Sequence, residues 1–135
     1  MSTHEVNIWT VQELYAAFAQ MDLAAILATV EENVEWLFPG QADVIPYAGA
    51  RLGHGAVVNF FVMVAKTVEV LTFEPLEVMA FADKVLVLGH ERVRVKATGK
   101  EFETDWAHLF TLEQGKIVKL REFYDTAAMA AAFRS

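Results

Sequence analysis

The side chains best suited to acid–base chemistry in this chain are His90, Arg92, Asp105, Glu122 and Tyr124. A histidine exchanges a proton near neutral pH. Two carboxyls in unequal surroundings divide into a base and an acid, and an arginine between them orients both. On that reasoning Glu122 is the general base, Asp105 its partner or the acid, and Arg92 the bridge. His90 is a second proton carrier, and Tyr124 offers a hydroxyl to an oxyanion. The same residues also read as a structural network tying three strands together.

These residues fall on strands expected at 84–96, 100–112 and 116–125. If Thr98-Gly99 is a two-residue turn, Lys96 faces Glu101, Arg94 faces Glu103, Arg92 faces Asp105 and His90 faces Ala107. Three opposite-charge pairs in succession support that register. A turn at Gln114-Gly115 then places Ala107 opposite Glu122 and Asp105 opposite Tyr124. Side chains alternate along a strand, so these polar residues share one sheet face, with Ala107 leaving space among them. Val87, Trp106, Phe110 and Phe123 share the other face. That face is the more apolar one, and by pattern alone it is the better candidate to pack on helices. His108 falls on it and reads as an interface or packing residue.

Upstream, Val11, Leu14, Tyr15 and Phe18 recur at helical spacing, giving a helix over 6–20. Asp22 reads as the N-cap of a second helix carrying Leu23, Ile26, Leu27 and Val30. Val34–Phe38 reads as a short strand ended by Pro39-Gly40. The loop that follows holds Pro46-Tyr47-Ala48-Gly49, a candidate rim over a cavity or an ordinary surface loop. A third helix spans Gly53–Lys66, a first long strand 67–80, and an alanine-rich helix Thr126–Phe133. Leu14, Phe18, Trp36, Phe38 and Phe60 are candidates for the apolar end of a pocket, with Tyr47 at its rim; core packing explains them as well. The expected fold is α+β: a curved antiparallel sheet with helices on one side, one domain over 1–135.

Composition narrows the function. Eighteen acidic against eleven basic residues give a net charge of −7, which argues against a nucleic-acid partner. There is no cysteine, which fits a cytoplasmic location. No apolar run is long enough for a membrane span, and no signal peptide is recognisable at the start. His4, His54, His90 and His108 lack metal-ligand spacing, and no cofactor-binding loop is present, so neither metal nor cofactor is expected.

Three stretches, YAAFAQMDLAAILATVEENVEWLFP, PYAG with RLGHGAVVNFF, and GKIVKLREFYD, resemble the NTF2-like superfamily, also described as SnoaL-like or ketosteroid-isomerase-like. The resemblance covers nearly the whole chain. It implies a cone in which a curved sheet wraps a deep pocket, with homodimers formed through the outer sheet face. It would put the polar face inside the cone and the face with Trp106, Phe110 and Phe123 at a dimer interface. The catalytic tyrosine and two aspartates of ketosteroid isomerases correspond to Leu14, Phe38 and Ala107, so that set is absent. HERVRVKATGK and FTLEQGKIVKLREFYD resemble limonene-1,2-epoxide hydrolases. Their bridging arginine corresponds to Arg92 and one aspartate to Glu122, while the other falls at Arg94. The water-holding tyrosine and asparagine correspond to Trp36 and Phe38. The resemblance implies a protein for a small, apolar, oxygenated molecule. It would be either a cofactor-free isomerase, cyclase or epoxide hydrolase, or a non-catalytic binding or scaffold domain.

Overall fold

The computed structural model describes all residues from Met1 to Ser135. Helix α1 spans Thr3–Ala19 and starts three residues before its apolar stripe suggests. Ser2 and Glu5 form a reciprocal capping box that satisfies the first free amides, which extends the helix into a polar segment. Asp22 caps α2 (Leu23–Thr29), its carboxylate accepting from the Ala25 amide at 3.1 Å. The chain continues through β1 (Val30–Phe38), β2 (Gly49–Leu52), α3 (Gly53–Thr67) and β3 (Val68–Phe81). It ends with β4 (Lys84–Val95), β5 (Glu101–Glu113), β6 (Lys116–Phe123) and α4 (Thr126–Phe133). Asp125 caps α4 through the Ala128 amide at 3.0 Å.

The fold is the expected α+β arrangement, with one six-stranded curved, unclosed sheet in the order β2-β1-β6-β5-β4-β3. Two features add to the expectation. Gly49–Leu52 is a strand pairing antiparallel with β1, not part of a loop. β1 lies parallel to β6, so the sheet is mixed. No helix is long and apolar enough to cross a membrane.

Both expected registers are corrected. Residues 96–100 link β4 to β5 as a wider loop closed by Val95 N–H donating to Lys100 O and Gly99 N–H donating to Val95 O, each 2.8 Å. Arg94 therefore faces Glu101, Arg92 faces Glu103, and His90 faces Asp105. The slip is two residues, so His90, Arg92, Asp105 and Ala107 still share a face. Beyond the Gln114-Gly115 turn the slip is one residue. Leu112 pairs with Ile117 but Thr111 pairs with Lys119, which leaves Val118 as an extra residue in β6. From there on Ala107 faces Phe123 and His108 faces Glu122. A one-residue slip exchanges the two faces of a strand. Glu122 thus turns to the face opposite Arg92 and Asp105.

The face turned to the helices is the apolar one. Val85, Val87, Val93, Val95, Phe102, Trp106 and Phe110 are buried there and join α1, α3 and α4 in a continuous core. This reverses the assignment drawn from the resemblance, in which the polar face lined the cone. It also removes Trp106 and Phe110 from any outer interface, since they are 3% and 0% exposed within the chain itself. Phe123 lies on the outer face, 46% exposed. The physical cause is the ordinary preference of sheets for burying their apolar face.

Candidate active site

Between the inner sheet face and helices α1 and α3 lies a cavity of about 80 Å³. Leu14, Phe18, Trp36, Phe38, Tyr47 and Phe60, all expected around a pocket, contribute to its wall. So do Phe61, Phe73, Val93, Phe110 and Met129. Tyr47 is buried deep in this wall, not perched on a rim. Four polar side chains interrupt the apolar lining besides Tyr47 and Trp36: Tyr15, Glu91, His108 and Glu122.

Three of these form a hydrogen-bonded chain. Tyr15 lies one turn beyond Val11 on α1, and its hydroxyl meets His108 Nδ1 at 2.8 Å. On the other side of the imidazole, His108 Nε2 donates to Glu122 Oε1. Burial, and then the nearby Glu122 carboxylate, push the Tyr15 hydroxyl far above its ordinary pKa. Tyr15 therefore keeps its proton; because the Glu122 carboxylate can only accept, Nε2 carries the hydrogen toward it and Nδ1 is left to accept from the Tyr15 hydroxyl. The imidazole is held in place by stacking on Trp106 (4.1 Å between centroids, 23°) and on Tyr15 (5.8 Å, 25°). The strand register makes this geometry, because His108 and Glu122 are direct cross-strand partners only beyond the Val118 bulge.

Glu91 enters from β4, opposite Thr104. Burial pushes its carboxyl up to about 8, with the Glu122 charge adding to the shift. At neutral pH Glu91 is thus mainly a neutral acid able to donate a hydrogen bond. Burial raises Tyr47 and Tyr124 as well, with Glu91 and Glu122 contributing, so both phenols stay protonated. The Tyr47 hydroxyl has only Met129 Sδ as partner, at 3.5 Å, a weak acceptor. The wall therefore holds a carboxylate tethered to a histidine, a protonated carboxyl and an under-used phenol.

His90, Arg92 and Asp105 lie elsewhere. They sit on the outer face in a ladder of exposed ion pairs. His90 contacts Asp105 at 2.9 Å and Glu103 at 3.0 Å, and Arg92 contacts Glu101 at 2.8 Å. The Asp105 side chain is 95% exposed. These carboxylates raise the His90 pKa, Glu103 first and Asp105 next. Arg92 is not beside Glu122, so an acid–arginine–acid bridge is not assembled. Ala107 is on the outer face too, beside Phe123. Tyr124 does not line the cavity: its hydroxyl donates to Pro39 O at 2.5 Å and its ring packs on Phe38 at 5.0 Å. Glu122 alone of the acid–base residues singled out at first reaches the interior.

Glu91 and His108 were missed, although the sequence carried a signal for them. They are the charged or titratable residues in rows otherwise filled by valine and aromatics, and such residues on a buried face need a partner or a task. No group of three or more His, Asp or Glu side chains is arranged to hold a metal ion.

The sequence profile of the SnoaL-like domain matches residues 11–120. The chain belongs to the SnoaL-like, NTF2-like family. A solved NTF2-like protein of Burkholderia xenovorans is 34% identical, with a TM-score of 0.90 over 98% of each chain. TerC, crystallised with polyporic acid, is 26% identical, with a TM-score of 0.83 over 96% of this chain and 99% of its own. An uncharacterized protein of Mycobacterium tuberculosis is 28% identical over 97% of this chain and 98% of its own. Membership of the family gives the fold, and what a fold does depends on the side chains of its site.

Proposed function

We propose that this SnoaL-like protein is a cofactor-free acid–base enzyme for a small, largely apolar, oxygenated molecule, of the isomerase or cyclase type. The observation that carries this reading is the Tyr15–His108–Glu122 chain opening onto a cavity with Glu91 in the same wall. Glu122 Oε1 is engaged by His108, which leaves Oε2 for the ligand. In the proposed step Oε2 takes a proton from carbon next to a carbonyl. The electron pair moves to the carbonyl oxygen, which receives a hydrogen bond or the proton of Glu91. In an unsaturated ketone, return of the proton from Glu122 to the far carbon of the dienolate, with any proton lent by Glu91 going back to it, completes an isomerisation; alternatively the enolate carbon attacks a second carbonyl to close a ring, and the new alkoxide takes the proton held by Glu122. His108 holds the Glu122 carboxylate in place, and Tyr15 donates to Nδ1 of the histidine.

Crystallisation of TerC with polyporic acid supports a small organic ligand for this scaffold. An epoxide hydrolase of the acid–arginine–acid type is less well supported, because Arg92 and Asp105 face away from Glu122. A homodimer, where it forms, would use the outer face around Phe123. The test is solvent-deuterium uptake by small cyclic ketones in the presence of the protein, followed by NMR. Glu122→Gln is expected to slow uptake by a factor of roughly 100 or more. Unchanged uptake would remove Glu122 from the chemistry. Ligand binding without any uptake or turnover would favour a non-catalytic binding module.

A further inference from the structure

Nineteen side chains line the cavity, and all but four of them are buried. The four are Tyr15 and Phe18 on α1 and Val70 and Phe73 on β3, each only partly buried. The Phe18 ring meets Phe73 edge-on at 5.2 Å, and Tyr15 leans on Phe73 at 5.7 Å. The wall thus reaches the protein surface in one place, between α1 and β3. The same four side chains line a groove of about 540 Å³ that also runs over exposed Ala16, Ala19 and Ala65. No charged side chain lines this groove. β3 is an edge strand, paired only with β4. Its pairing shifts between Val70 and Thr72 and again between Pro75 and Glu77, so Phe73 lies between two irregularities. A strand held on one side and interrupted twice opens at lower cost than the middle of the sheet. The cavity alone, at about 80 Å³, falls well below the roughly 300–1,000 Å³ of sites that enclose a drug-sized molecule, whereas cavity and groove together reach that range.

We propose that the ligand enters between α1 and β3, past Phe18 and Phe73, and that the groove is a second subsite, holding an apolar tail while a compact carbonyl-bearing ring occupies the cavity. This rests on the cavity being a ligand site, and it names the ligand class as a cyclic ketone with an alkyl or aryl tail. The tail meets alanine, methionine and phenylalanine side chains and no charge, so its burial adds affinity without asking for a polar partner. Phe73 faces Glu91 across the β3–β4 pair, so the ring that closes the passage also covers the acid in the wall.

The probes are cyclopentanone and 2-pentylcyclopentanone, titrated into the full chain with ¹³C-labelled alanine methyl groups and followed by NMR. The pentyl ketone is expected to bind more tightly by a factor on the order of 10–100, the range for partly burying five carbons. Its pentyl protons should show NOE contacts to the methyl groups of Ala16 and Ala65. Ala16→Glu changes an exposed residue outside the cavity wall. It should remove most of the gain from the tail and leave cyclopentanone affinity within about twofold of wild type. If cyclopentanone binds and the pentyl tail adds nothing, or its contacts fall on other alanines alone, the groove is not a subsite and the cavity reading stands. A gain from the tail that survives Ala16→Glu undiminished overturns the groove in the same way. If neither ketone binds, the cavity reading itself falls and the subsite with it. The wild-type contacts decide the matter even where Ala16→Glu fails to fold.

Discussion

His108 and Glu122 face each other directly across the β5–β6 pair, both buried, with Nε2 donating to the carboxylate. Such a pair is expensive to break from one side only, because the survivor keeps its desolvation cost without its partner. His108→Leu or Glu122→Leu alone should each destabilise the fold by about 3 kcal/mol, whereas the double replacement should recover much of that loss. Urea unfolding of all four species gives the coupling. Additive single losses would mean that the two side chains do not act as a pair.

Glu91 makes stability depend on pH in a defined direction. Its carboxyl is raised from the usual range to about 8, so the folded state binds the proton more tightly than the unfolded chain does. Its stabilising contribution is complete below the unfolded pKa near 4.5 and is lost as pH rises through about 8. Melting temperature should accordingly fall between pH 5 and pH 8. Glu91→Gln, which stays neutral, should flatten that slope and gain most over the wild type at the alkaline end. Parallel thermal melts across this range check the sign.

The outer ladder serves as a control. His90→Ala, Arg92→Ala and Asp105→Asn are expected to leave ligand affinity and any turnover within about twofold of wild type, since exposed ion pairs contribute little. Isothermal titration with a bound ligand measures this. A tenfold loss in any one of them would mean that the outer face takes part in function.

Gly89 is required for packing, not for a turn. A methyl group there would sit 2.2 Å from Trp106 Cζ2 and 2.6 Å from Glu74 O, and the backbone oxygen cannot move aside cheaply. Gly89→Ala should cost roughly 1–3 kcal/mol or more, as over-packing does. The near-ultraviolet circular dichroism of Trp106, stacked on Phe73 and His108, should change with it.

The element order apart from β2, the helix cap at Asp22 and most of the cavity wall were legible in the sequence. Apolar periodicity and cap chemistry are local properties, and they survive into the fold unchanged. The parity of β4 with β5 was legible too, since a wider loop displaced the pairing by an even number of residues. Glu122 was placed on the wrong side because a bulge leaves no local mark: Val118 is as good a strand residue as its neighbours. Glu91 and His108 were set aside because the polar face drew attention through its charges. The Val, Trp and Phe content of the opposite face pointed to the interior all along.

The Val118 bulge has a consequence for comparing relatives. Had the same residues paired without the bulge, Glu122 would face Ala107 on the outer side and Arg121 would face His108, while the strand, its length and its apolar character stay nearly untouched. The chemistry of such a site can change by a shift of frame with no substitution in the wall at all. Residues of related chains are therefore better matched by counting from the cavity floor outward than from the Gln114-Gly115 turn inward. An alignment without gaps across this hairpin would equate a proton carrier in one chain with an outer-face residue in a chain that lacks the bulge.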